Sequence, residues 1–212
     1  MKTEILKLIE NAKAFDKTKN FASLAEIVDK YKKEEYHTKP GKLSLKNIKS
    51  TSETAYQRAI FLSKETTLNT LGKVTWNDLE LPVVFSNSPR RRCVDLIGKL
   101  NNKTPVLCEL KFTSSNSYYS NSPSPIYAVV ELLIYYYLIK DNCEELDKKE
   151  VFHKDEKVIS FKWSDFNSNS IFIIVANEKY WDYWLKRYEK QKNEIRLWLK
   201  SLPLKVCFFF IC

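Results

Sequence analysis

The residues best suited to chemistry in this 212-residue chain are Asp95 and the run Glu109-Leu110-Lys111. Carboxylates are hard oxygen ligands for a divalent cation, and an ammonium beside them can orient a water or stabilise anionic charge as it builds. Such work needs the side chains brought together. Leu100-Asn101-Asn102-Lys103-Thr104 reads as a turn between two apolar runs, residues 92–98 and 105–112, which makes a β-hairpin. Partners in an antiparallel pair lie equidistant from the centre of the turn, and Asp95 and Glu109 are centred on residue 102. The spacing therefore predicts that they face each other, with β-carbons about 4.5–5.5 Å apart. Lys111, two residues beyond Glu109, falls on the same face. Asp95 also interrupts the apolar stretch Cys93-Val94-Asp95-Leu96-Ile97, where a carboxylate needs partners.

The elements around the hairpin follow from periodicity and punctuation. Ile5, Leu6, Leu8, Ile9 and Ala12, then Phe21, Leu24, Ala25, Ile27, Val28 and Tyr31, recur at helical spacing and predict two short helices. They form a helical extension over residues 1–45, ahead of an α/β domain over 46–212. Ser50 and Glu53 have the form of a capping box opening a helix over 55–63. A strand over 79–85 precedes the hairpin, and Pro82 argues that it lies on an edge. Residues 113–125, with six serines and the pair Tyr118-Tyr119, have a loop composition. Ser124 then caps a helix whose first residue is Pro125; residues 126–139 are apolar almost all round, the mark of a buried helix, with Glu131 the one charge. A charged insert (140–157), a strand over 158–163 and an unbroken β-branched strand over 171–176 come next. Asn177 is placed to cap one long helix with Trp181, Trp184, Leu185, Tyr188, Ile195, Trp198 and Leu199 on its inner stripe, before a final strand over 206–211. The class is mixed α/β.

Composition narrows the setting. Hydrophobic residues make up 44% of the chain, too many for disorder, and no run is long and apolar enough to span a bilayer. The first residues mix acids, bases and leucines, unlike a secretion signal, so the expected location is cytoplasmic. Five cysteines without paired metal-ligand spacing predict reduced thiols. The net charge of +9 is unevenly spread: residues 1–50 hold twelve bases against seven acids, and residues 86–125 hold six against two. The excess that surrounds the acids suits a polyanion.

Asp95 followed by Glu109-x-Lys111 on the next strand, in a helix–three strands–helix–strand order, resembles the PD-(D/E)XK nuclease superfamily, the restriction endonuclease-like fold. The resemblance covers residues 50–176 at the level of pattern. It implies a mixed sheet flanked by helices and a magnesium-dependent nuclease, with manganese as substitute. Asp95, Glu109 and the Leu110 carbonyl would hold the ion, and Lys111 would assist the attacking water. The family often places another acid on the helix before the strands, and Glu53 is the match, alongside its local capping role. Glu131-x-x-x-Tyr135 is similar to the Gln-x-x-x-Tyr of RecB-like and Cas4-like members, with Glu in place of Gln. Val94 stands where the family has proline, and the iron–sulfur cysteine set of Cas4-like members is absent.

Arg90, Arg91 and Arg92 precede the Asp95 strand, and Lys99 and Lys103 flank the turn; all five are candidates for phosphate contacts. Tyr118 and Tyr119 are candidates to stack on bases. Expected partners are nucleic acid, DNA ahead of RNA, and a second copy of the chain, with no membrane. Two other readings stand beside the nuclease: a catalytically idle nuclease-like fold that binds nucleic acid or a protein, and an interaction protein using its tyrosines and basic surface.

Overall fold

The computed structural model describes residues 52–83, 92–114, 122–148, 150, 161–202 and 204–211. The two helices expected within residues 1–45 lie outside the described residues, as do Arg90, Arg91, Tyr118 and Tyr119. The elements run α1 (Glu53–Leu62), β1 (Glu65–Leu68), β2 (Gly72–Val83), β3 (Arg92–Leu100), β4 (Thr104–Lys111), α2 (Pro125–Lys148), β5 (Ile171–Asn177), α3 (Glu178–Tyr188), α4 (Lys192–Ser201) and β6 (Lys205–Ile211). Single 3-10 turns at Trp163–Asn167 and Glu189–Gln191 precede β5 and α4.

The six strands form one mixed sheet in chain order. β1 to β4 are an antiparallel meander; β4, β5 and β6 are parallel, joined by helical crossovers. Helices cover both faces. α1 brings Phe61 against Trp76, Leu96, Cys108 and Ile173, while α2, α3 and α4 cover Leu107, Phe172 and Ile174. β5 sends alternate residues into both layers, the burial that its β-branched run predicts. Every residue of 126–139 in α2 is buried, and each Leu or Ile in that stretch stabilises the fold by roughly 1.5–3 kcal/mol. Ser124 caps α2 as expected, its hydroxyl accepting from Tyr127 N at 3.2 Å.

Several boundaries differ from the pattern. α1 is capped by Ser52, whose Oγ accepts from Ala55 N, so Glu53 is its first residue and not the third position of a capping box begun at Ser50. Among the described residues four strands rather than three precede α2: β1, the polar run Glu65-Thr66-Thr67-Leu68, becomes a strand only by pairing with β2. β1 pairs β2 over Gly72–Thr75 only, so Pro82, paired with Cys93, lies on an edge length among the described residues. α2 continues into the charged insert because Cys143 and Leu146 keep an inner face while Glu144 and Glu145 stay exposed. The strand expected over 158–163 is absent from its described part: Trp163 opens a 3-10 turn whose Trp163 and Ser164 N–H groups are held by the Asp147 carboxylate. The long final helix is two, interrupted at Glu189–Gln191. Cys93, Cys108, Cys143 and Cys207 are free thiols.

Candidate functional site

Five chemistry-bearing side chains meet where β3 and β4 run beneath the first half of α2. The β3–β4 register, Leu96 with Cys108 down to Leu100 with Thr104, is the one that centres Asp95 and Glu109 on the turn. The ladder ends at Leu96–Cys108, one rung short of the acids. There side chains take over from strand pairing. The Asp95 carboxylate accepts the Leu110 N–H at 2.7 Å, and Gln57 of α1 donates its amide to the Asp95 carbonyl at 2.9 Å and to Oδ1 at 3.2 Å. Asp95 is thus fixed by the backbone of β4 and by α1.

Glu109 and Lys111 share a face, as expected, and it is the face under α2. Lys111 Nζ lies 2.6 Å from Glu109 Oε1 and 3.6 Å from Glu131 Oε2. All three are buried, at 5%, 5% and 8% exposure, so Glu131 does not reach solvent at the helix edge. The second Glu109 oxygen, Oε2, is buried and has no hydrogen-bond partner among the described residues. Glu53 is drawn in from α1: its Oε2 accepts the Phe112 N–H at 3.1 Å, which replaces the expected reciprocal cap.

The chain leaving β4 is clamped on every side. Ser122 Oγ donates to the Phe112 carbonyl at 2.6 Å, and Tyr56 packs its ring 4.9 Å from that of Phe112. Asn177, at the end of β5, accepts from Thr113 N at 3.0 Å and donates to Thr113 O at 2.8 Å. That pair of bonds is why its side chain makes no cap bond to α3. These contacts fix the backbone immediately after Lys111.

Four carboxylates, Glu53, Asp95, Glu109 and Glu131, surround one ammonium, and the electrostatics follow from that surplus. Burial raises the Asp95 pKa to about 7; Lys111 and the Leu110 N–H pull it down, and Glu53 and Glu131 push it up. Glu109 is driven well above the carboxylate range by burial first and by repulsion from Asp95 second. Glu53 is also raised, chiefly by burial. For Lys111 burial is the largest influence and favours the neutral amine, but the four acids together outweigh it and hold the pKa well above normal. Lys111 is therefore an ammonium at neutral pH.

Among the described residues, no three of His, Cys, Asp and Glu are grouped closely enough to hold a metal ion by themselves. The donor set nevertheless suits magnesium: hard oxygens from two carboxylates, of which Glu109 Oε2 has no hydrogen bond among the described residues, with waters and a phosphate to complete the shell.

Two of the basic candidates, Lys99 and Lys103, lie toward the turn and away from the acids. Lys99 lies within β3 and is ion-paired with Asp165 at 2.7 Å, over the ring of Phe161. Lys103 is exposed at the turn, six residues from Glu109 along β4, or about 20 Å at strand rise. Arg92 is the first residue of β3. Sequence reasoning missed Gln57, Ser122 and Asn177. Gln57 had a signal, since it stands four residues after Glu53 and so shares its helix face. The other two had none, because their partners are backbone groups distant in sequence. A scan against protein-family models and searches of curated proteins and solved structures returned no match to this chain.

Proposed function

We propose that this chain is a magnesium-dependent nuclease of restriction endonuclease-like architecture, acting on DNA ahead of RNA. The observation that carries the reading is the Lys111 ammonium, 2.6 Å from Glu109 and 3.6 Å from Glu131, within a buried excess of acid that includes Asp95. Such an excess takes up protons or a cation. The order of α1, β2–β4, α2 and β5 also supports it.

Asp95, Glu109 and the Leu110 carbonyl would hold the ion. When bound, magnesium supplies Lewis-acid stabilisation of phosphoryl charge and a more acidic water. The remaining roles belong to the chain. Lys111, charged at neutral pH, works as an electrostatic group: it orients the attacking water and stabilises negative charge growing on phosphate oxygens. It does not abstract the proton. Glu131 holds that ammonium in place, and Gln57 with the Leu110 N–H holds the Asp95 carboxylate. Glu53 fixes the backbone at Phe112, immediately after Lys111.

The test is cleavage of plasmid and single-stranded DNA with magnesium or manganese. Lys111→Ala and Asp95→Asn should each lower the rate by about 10²-fold or more, since each removes a charge aimed at the reacting phosphate. Unchanged cleavage by both variants removes the assigned site. The closed Lys111–Glu109 pair also suits the idle alternative, a fold that binds nucleic acid without cutting it. Salt-sensitive binding with no metal-dependent cleavage is its signature.

A further inference from the structure

We infer that Lys111 is an exchangeable counter-ion: Glu109 accepts a divalent ion only as the Lys111 ammonium passes from it to Glu131, its acceptor in the ion-loaded state. The inference rests on the nuclease reading for the presence of an ion, and deepens it by giving Glu131 a part in metal entry.

Three observations carry it. Neither oxygen of Glu109 is open to an entering ion: Oε1 holds the Lys111 ammonium at 2.6 Å, and Oε2 is enclosed by protein. The lysine has no path to withdraw into solvent, since its side chain is 6% exposed and the backbone just beyond it is fixed at Phe112 and Thr113. An ammonium left unpaired at that depth is strongly unfavourable, so its departure from Glu109 needs a second carboxylate within reach. Glu131 Oε2 is that group, 3.6 Å from Nζ, and a shift of about 1 Å brings the two to the distance of a charge-assisted hydrogen bond. Glu131 is held still meanwhile, in a stretch of α2 where every residue from 126 to 139 is buried. Coulomb's law drives the exchange: at equal distance a dication repels an ammonium twice as strongly as one carboxylate attracts it. The move to Glu131 frees Oε1 and keeps one ion pair. Glu131 is therefore a positioning residue, acting on the metal site through Lys111.

The experiment measures manganese binding by calorimetry on the full chain, without nucleic acid, for the unmodified protein, Lys111→Met, Glu131→Gln and the double variant. Lys111→Met should bind manganese at least about tenfold more tightly, because the competing cation is gone. Glu131→Gln should weaken binding about tenfold where Lys111 is present, and less than about threefold in the Lys111→Met background. Equal losses in the two backgrounds overturn the inference, since Glu131 then acts on the ion directly, as does a Lys111→Met protein that binds no more tightly than the unmodified one. A crystal of the unmodified protein grown with manganese decides the matter even where Lys111→Met does not fold. The expected structure has Lys111 Nζ about 2.8 Å from Glu131 and beyond about 4 Å from Glu109. Manganese bound with the lysine still on Glu109 overturns the inference and leaves the nuclease reading standing. Exchange seen without cleavage of any nucleic acid supports the inference and sinks the nuclease reading alone, and no manganese binding by any of the four proteins overturns both.

Discussion

The two ends of the β3–β4 hairpin are built from the same strands but satisfy their backbones in different ways. At the turn, strand pairing runs to Leu100–Thr104, and Asn101 and Asn102 take positive φ values of 49° and 58°. Asn101 Oδ1 accepts from Lys73 N at 3.1 Å, in space left by the missing side chain of Gly72. The polar groups there face solvent or each other. At the other end the ladder stops, and Gln57, Glu53, Ser122 and Asn177 replace strand partners. The turn end closes a hairpin at little cost. The open end gathers four acids and a lysine that no continuous ladder would collect, so its geometry depends on side chains from three other elements.

Substitutions should separate the two ends. The largest effect belongs to Lys111→Ala, which leaves buried carboxylates without their ammonium and should destabilise by about 3–5 kcal/mol at pH 7 in urea titration. That loss should shrink at pH 5, where the acids take up protons instead.

Second is the pH dependence of the unmodified protein. Asp95 binds its proton more tightly when folded, with a pKa near 7 against an ordinary carboxylate value when unfolded, so the folded state carries more protons between those values. Its contribution to stability is complete at acidic pH and is lost as pH rises through about 7, with a slope of up to about 1.4 kcal/mol per pH unit for one proton. The raised Glu53 and Glu109 act in the same direction. Asp95→Asn should flatten the profile near neutrality, and a profile that rises from pH 5 to pH 8 would contradict the account. Magnesium should stabilise the protein more at pH 8 than at pH 6, since protons compete for the same oxygens.

Gln57→Met comes third: it removes the two hydrogen bonds from the Gln57 amide to Asp95 and should cost about 1–3 kcal/mol, with weaker magnesium stabilisation. At the turn end, Lys99→Ala breaks a partly exposed pair with Asp165 and should cost about 0.2–1 kcal/mol without altering magnesium binding. Lys103→Ala, on an exposed side chain, should change stability by less than about 0.5 kcal/mol. A larger effect at Lys99 than at Gln57 would reverse the contrast between the ends.

Much of this architecture was legible in local pattern. Ser124-Pro125 marked the start of α2, the apolar run marked its burial, and Ile171 to Ala176 marked a strand covered on both faces. The hairpin register was legible because two apolar runs of similar length flank one polar turn. β1 was not, since its four residues carry no alternation and become a strand only through β2. The fate of Glu53 was also hidden. A local motif offered it a capping role, but with Ser52 as the cap its carboxylate was left to bind Phe112, fifty-nine residues away.

Residue type and spacing alone determined that Asp95, Glu109 and Lys111 would lie near one another, because strand pairing about a short turn is a local geometric rule. They also determined that Glu131 would be carried on a buried helix. Only the tertiary structure decided that the ladder would end one rung before the acids, that α1 would supply Gln57 and Glu53, and that α2 would set Glu131 against Lys111. Those outcomes depend on desolvation and on hydrogen bonds between distant segments, whose strength is fixed by the packed environment and is not written in any one stretch of chain.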